Sequence, residues 1–421
     1  MNKNYSYKLQ LSYVGTIKFI FLLTLLLTSC KENKDKVSDK IEANSTIDEN
    51  IDVDQALSNA VKQLELQTEY AMKENRIPRT VNPEGEMHWT NPKFDWTEGF
   101  YPGSLWYLYK YSKDDKWKNA ATSFQAMFEE HKNLTTNHDL GFVFNCSYGN
   151  GYDLTGNEDF MAVMITAANA LSTRFNPNVG CIKSWDVDRG WQSERNWMFP
   201  VIIDNMMNLE LLFKASELTG DTKYKEIAIA HANTTLKNHF REDNSSYHVI
   251  DYDPNTGSVR NKETAQGFAH ESAWARGQAW GLYGYTVCYR YTKDEKYLDQ
   301  AQKIAKFIYD NRPADGIPYW DYNADKIPNE PRDVSAAAII ASALIELDGY
   351  TKESYGAQID EILGSLASEA YTAKIGENND FILKHSVGSI PHGNEIDVPL
   401  NYADYYYLEA LLRYKDDYVK N

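Results

Sequence analysis

The chain has 421 residues, 43% hydrophobic and 24% charged, the composition of an ordinary globular protein rather than of a fibre or a disordered tail. Its formal charge of −17, with no basic stripe for phosphates, argues against a nucleic-acid partner, although a local site can differ in sign from the whole surface. The four cysteines, Cys30, Cys146, Cys181 and Cys288, are spaced neither as a disulfide framework nor as metal ligands, and no metal site is assigned.

The chain opens with basic residues and then the apolar run FIFLLTLLLTSC, Phe19 to Cys30. That run is short for a membrane span and fits a secretory core. Leu27-Thr28-Ser29-Cys30 resembles a bacterial lipobox. Residues 1–30 are therefore read as a lipoprotein signal peptide with lipidation at Cys30, and an uncleaved anchor helix is the alternative. The expected location is that of an exported, membrane-anchored protein, periplasmic or on the cell surface. Residues 31–50, polar and without aromatics, read as a flexible tether. Residues 51–421 remain as one folded domain.

Within that domain the dominant signal is helical. YPGSLWYLYKYS, DFMAVMITAANALSTRF, ARGQAWGLYGYTVCYRY, DVSAAAIIASALIEL and YADYYYLEALLRY carry apolar residues at helical intervals, several of them nearly all round. YKYSKDDKWKNAATSF, KASELTGDTKYKEIAIAHA and YRYTKDEKYLDQAQKIAKF echo one another as helix, short polar turn, helix. Their irregular spacing excludes an open solenoid of fixed period. A closed all-α toroid of inner and outer helices, about 11 or 12 in number, is predicted.

Polar groups that a core does not require fall in a few stretches. FDWTEGFYPGSLW offers Trp96 and Phe100, either stacking platforms or helix packing. TTNHDLGFVF holds His138 and Asp139, an acid system or a turn. ESAWARGQAWGLYGY holds Trp274, Arg276 and Trp280. There Arg276 could contact a carboxylate or close a core ion pair, while Gly277, Gly281 and Gly284 would allow close helix approach. In FPVIIDNMMNLELLF, Asp204 is a carboxylate among core residues. Either Pro200 opens a helix and Asp204 meets its dipole, or the acid is tuned for proton transfer. His231 and His239 share one predicted outer helix and are given no metal role.

From about Ala56 to Tyr414 the chain resembles glycoside hydrolase family 88, the unsaturated glucuronyl hydrolases. The resemblance rests on WTEGFYPGSLW, HDLGF, IKSWD, VIIDNMMNLELL, HVIDYD, ESAWARGQAWGLYGY and NYADYYYLEALLR, in that order. It implies an (α/α)6 barrel and a substrate carrying 4,5-unsaturated glucuronic acid at the non-reducing end of a lyase-generated oligosaccharide. It also implies protonation of C4 with addition of water at C5, in place of attack at the anomeric carbon. By motif position Asp204 is the acid/base and Asp139 the second catalytic aspartate. His138, His248, Gln266, Arg276, Trp280 and Tyr402 would contact substrate, and Trp96, Phe100 and Trp274 would stack on sugar. Ser386 and Ser389 lie where some glycosaminoglycan-active members place serines followed by a lysine, but Pro391 stands in the lysine's place. Chondroitin, hyaluronan, heparin and ulvan fragments all stay open as sources. No cofactor is expected, since the reaction needs only water and a proton. The rival readings are an unsaturated rhamnogalacturonyl hydrolase and a non-catalytic, lipid-anchored glycan-binding protein.

Overall fold

The computed structural model describes residues 51–419; the predicted signal peptide, Cys30 and the predicted tether lie outside the described residues. Outer and inner helices alternate along the chain. The outer ones are α1 (Val53–Glu74), α3 (Asp115–Ala126), α6 (Glu158–Ser172), α8 (Thr222–Asn238), α10 (Glu295–Asn311) and α12 (Gly356–Ala367). The inner ones are α2 (Phe100–Ser112), α4 (Leu140–Phe144) with α5 (Asn150–Thr155), α7 (Leu209–Thr219), α9 (Ala275–Thr292), α11 (Val334–Asp348) and α13 (Asn401–Asp417). A π-helical turn, Asn145–Gly149, joins α4 to α5, so the two fill one inner position of an (α/α)6 barrel.

The burial pattern explains which helix goes where. In α10 the buried residues recur at helical spacing, Tyr297, Leu298, Ala301, Ile304, Ala305 and Ile308, so one face meets the ring and the other meets water. In α9 every residue from Ala275 to Cys288 is buried, and in α13 every residue from Asn401 to Leu412. Those helices have no outward face and pack on both sides.

The echoed turns have one chemistry. Lys113, Gly220 and Lys293 adopt the left-handed conformation that ends α2, α7 and α9, each returning its N–H to the helix it closes. The next residue, Asp114, Asp221 or Asp294, caps the following outer helix by accepting from a backbone N–H two residues on. Trp117, Tyr224 and Tyr297 then plug the junction, each under the preceding lysine's ammonium at 4.8, 4.5 and 4.8 Å.

Four small sheets interrupt the helices: β1 (Pro78–Val81) with β2 (Met87–Trp89), β3 (Phe175–Asn176) with β4 (Cys181–Ile182), β5 (Phe199–Ile202) with β6 (Val249–Tyr252) and β7 (Val259–Glu263), and β8 (Ser386–Ser389) with β9 (Asn394–Val398). The sheet of β5, β6 and β7 corrects a sequence expectation. Pro200 does not open a helix: it lies in β5, opposite Asp251 of β6. A proline is tolerated there because β5 is an edge strand and can forgo a donor. A 3-10 turn, Ile203–Asn208, then carries Asp204 into α7. His231 on α8 and His239 at its C-terminal cap, both fully buried, hold this region in place. His231 Nδ1 accepts from the Ile182 N–H at 3.0 Å, and His239 Nε2 lies 3.1 Å from the Val201 carbonyl. Cys146, Cys181 and Cys288 are free and buried.

Two glycines allow close approach to the turn that carries Asp204. A methyl on Gly141 would lie 2.3 Å from Cα of Asn208, so the first turn of α4 and the turn before α7 touch backbone to backbone. A methyl on Gly284 would lie 2.5 Å from Cβ of Met206, so α9 lies equally close behind the 3-10 turn.

Candidate active site

A cavity of about 1050 Å³ opens where the inner helices begin. Trp96 precedes α2, Asp139 precedes α4, Asp204 precedes α7, Arg276 lies in the first turn of α9 and Tyr402 in the first turn of α13, and all five line it. Asp333, the N-cap of α11, reaches it through Arg276 at 2.9 Å. The catalytic aspartates expected from the sequence are thus brought together, along with His138, Gln266 and Ser389.

The two aspartates have parallel supports. His248 Nδ1 accepts from the N–H groups of Ala265 and Gln266 at 3.0 and 3.1 Å, so the proton of the neutral ring sits on Nε2. That Nε2 lies 3.5 Å from Asp204 Oδ2. Asn208 Oδ1 accepts from the Phe142 N–H at 3.1 Å, which turns its amide Nδ2 toward His138 Nδ1 at 3.3 Å. The proton of His138 then sits on Nε2, 3.3 Å from Asp139 Oδ1. Burial holds the His138 pKa down at about 3, with the Arg174 guanidinium adding to the effect, so the ring is neutral at working pH. Asn208, one turn beyond Asp204 in the sequence, therefore partners His138 and Phe142 rather than Asp204.

Asp139 is driven well above the usual carboxylate range, first by burial and then by the negative charge of Asp204. A largely buried carboxyl beside a second carboxylate favours its protonated form. Val201, Ile202, Ile203 and Met206 are buried around Asp204, a residue only 9% exposed whose Oδ2 has no hydrogen-bond partner.

The remaining predicted residues divide into wall and backing. Trp96 lines the cavity, tilted against Tyr402 at 4.9 Å. Phe100 does not line it; it is fully buried behind Trp96, Phe142 and Tyr402. Trp280 is likewise fully buried, edge-on to Phe142 and Tyr406. Trp274 and His248 pack together at 4.8 Å, outside the lining, with the Arg276 guanidinium 4.6 Å over the Trp274 ring. Ser386 is fully buried in β8, while Ser389 bonds His392 Nδ1 at 2.7 Å. Arg276 satisfies both readings of the sequence. It closes a buried ion pair with Asp333, bonds the carbonyls of Val387 and Gly388, and still lines the cavity. Its Nε, the Trp280 Nε1, the Tyr402 hydroxyl, the Ser386 hydroxyl and the His248 Nε2 are buried polar atoms without a protein partner. Of these, Arg276 and Tyr402 line the cavity, where a ligand could supply the missing partner.

Sequence reasoning missed part of the wall. Trp185 belongs to the IKSWD block but went unassigned, and Trp191 and His392 had no motif at all; their rings pack together, Trp191 at 5.0 Å from each of the other two. Arg79 bridges Asp95 and Glu395 at 2.7 and 2.6 Å, tying the segment before α2 to β9. No local pattern could announce a contact 316 residues apart.

With this geometry in view, the model of Glycosyl Hydrolase Family 88 matches residues 69–417. The chain belongs to glycosyl hydrolase family 88. An unsaturated glucuronyl hydrolase of Formosa agariphila is 44% identical over 395 residues, 93% of this chain and 95% of that protein. The solved structure of an unsaturated glucuronyl hydrolase specific for heparin superposes with a TM-score of 0.82 at 47% identity, covering 86% of this chain and 97% of that one. An Asp-to-Asn form of the Streptococcus agalactiae enzyme, complexed with dGlcA-GalNAc6S, matches with a TM-score of 0.73 at 30% identity over 87% of this chain and 92% of that one. These family 88 matches bear out the glycoside hydrolase class and the barrel, and favour neither the rhamnogalacturonyl reading nor a non-catalytic binder.

Proposed function

We propose that this glycoside hydrolase releases 4,5-unsaturated glucuronic acid from the non-reducing end of lyase-generated oligosaccharides by hydrating the C4=C5 double bond. The observation that carries the reading is the pair of cavity aspartates, each facing the Nε2 of a buried histidine whose other nitrogen is already occupied. Asp139 keeps its proton and hydrogen-bonds sugar hydroxyls. The substrate carboxylate enters beside Arg276. Asp204, having taken a proton from solvent, gives it to C4 and recovers one from the water that attacks C5. C5 now bears both the ring oxygen and a hydroxyl. Ring opening leaves a ketone at C5 and a hemiacetal at C1, which expels the aglycone as an alcohol. No group beyond these side chains and water is needed to balance the step.

The test is loss of the ultraviolet absorbance of the conjugated double bond. Asp204→Asn should lower kcat by about 10²–10⁴-fold, the range of general acid–base catalysis, with the thermal transition retained. Full activity in that variant would remove Asp204 from the mechanism. The heparin specificity named for the relative at 47% identity makes a heparin digest the first to try, ahead of chondroitin, hyaluronan and ulvan digests. Export and anchoring at Cys30 belong to the same proposal and are supported by the lipobox-like Leu27–Cys30 stretch; the mass of the mature N-terminus decides them.

A further inference from the structure

We infer that the outer part of the cavity is a subsite for an aglycone sugar bearing an anionic group, a carboxylate or a sulfate, built from Arg76 and Trp89. The inference rests on the hydrolase reading above and extends it from the bond that reacts to the sugar that leaves. Ligand pockets run to about 300–1,000 Å³, so a cavity of about 1050 Å³ is more than one uronic acid ring fills. Its far wall carries Arg76, His88, Trp89, Thr90, Asn91 and Pro92, from the β1–β2 region.

Three arginines line the cavity, and their charges are differently committed. Arg79 is held between Asp95 and Glu395. Arg276 is fixed by Asp333 and two backbone carbonyls. Arg76 forms no ion pair among the described residues, although the chain carries a net charge of −17 and has carboxylates to spare. Its guanidinium instead lies 5.2 Å from the Trp89 ring centroid, and Tyr70 braces that ring at 5.5 Å. A guanidinium stacked on an indole face is held in place and presents its N–H fork sideways, the geometry that takes carboxylate or sulfate oxygens. The neighbouring β8–β9 hairpin, Ser386 to Val398, contains neither lysine nor arginine. A second arginine, Arg195, stacks on Trp191 at 5.7 Å but does not line the cavity.

The experiment uses the purified chain and three unsaturated substrates. They are a disaccharide with a neutral aglycone, the same disaccharide with a sulfate on the aglycone, and an unsulfated tetrasaccharide whose third sugar is a uronate. The quantity read is kcat/KM for each anionic substrate divided by that for the neutral one. Arg76→Ala should lower at least one ratio about fivefold, the effect of one exposed charge pair, and Arg76→Lys should restore part of it. Loss confined to the sulfated disaccharide identifies a sulfate, and loss confined to the tetrasaccharide identifies a uronate. Unchanged ratios in Arg76→Ala, or a selective loss only in Arg195→Ala, overturn the subsite while leaving the hydrolase reading intact. A wild-type chain inactive on all three substrates refutes the reaction itself.

Discussion

Gly141 gives the sharpest test of how the catalytic pair is held. Its side-chain position faces the turn that carries Asp204: a methyl group there would sit 2.3 Å from Cα and 2.6 Å from Oδ1 of Asn208. Carbon atoms rest about 3.5–4.0 Å apart, so Gly141→Ala forces the two turns to separate by roughly 1 Å or more. Overpacking of this kind costs about 1–3 kcal/mol, a lowering of Tm by several degrees in a domain this large. The effect on chemistry should be larger, because a displacement of about 1 Å between catalytic groups costs about 10²-fold in rate. The variant should therefore stay folded at room temperature while its kcat, followed by ultraviolet absorbance, falls about a hundredfold. Gly364→Ala is the matched control. It lies within α12, a methyl there meets nothing within 4 Å, and the change should stabilise by about 0.5–1 kcal/mol. A Gly141→Ala enzyme with kcat within twofold of the parent would show that contact between the turns does not set the geometry of the pair.

Two further outcomes follow from burial and backbone conformation. His138, His231 and His239 each have a pKa lowered to about 3, burial being the largest cause in every case, while an unfolded histidine titrates near about 6.5. At these three sites the unfolded chain binds more protons than the folded one, whereas at Asp139, and at Glu98 and Asp404, each pushed up by burial to about 7, the folded chain binds more, so the two sets oppose each other. Each histidine contributes a slope of up to about 1.4 kcal/mol per pH unit below about pH 6.5, lost as pH falls, and His239→Gln should remove one such share. Guanidinium unfolding of parent and variant between pH 7 and 5 measures the difference, and parallel profiles contradict the burial argument. Lys293 ends α9 in a left-handed conformation with φ of 53°, where glycine carries no strain. Lys293→Gly should raise stability by about 0.5–1 kcal/mol, read as a shift in Tm with unchanged kcat.

Much of this architecture was readable before any coordinates, because local chemistry encodes it. The Asp-capped turns after Lys113, Gly220 and Lys293 announce helix hairpins, and continuous apolarity in α9 and α13 announces inner helices. Asp204 stood out because a carboxylate among Val201, Ile203 and Met206 needs a reason. Where the reading failed, the deciding information was not local. Val201, Ile202 and Ile203 are β-branched and favour a strand, but only pairing with Val249–Tyr252 makes β5 real. Periodicity placed Trp96 and Phe100 on one helical face, yet which ring meets the cavity depends on Phe142 and Tyr402 arriving from other inner helices. The Arg79 bridge joins residues at opposite ends of the domain and leaves no trace in either segment.

The small sheets divide labour within the molecule. Both aspartates stand on turns that lead directly into inner helices, where the ring fixes them. Trp89 and His392, by contrast, belong to hairpins spliced between helices, and those hairpins can lengthen, shorten or change sequence without disturbing the ring. A lineage of such enzymes can therefore inherit the reaction unaltered while its diet drifts from one polysaccharide to another, one hairpin at a time.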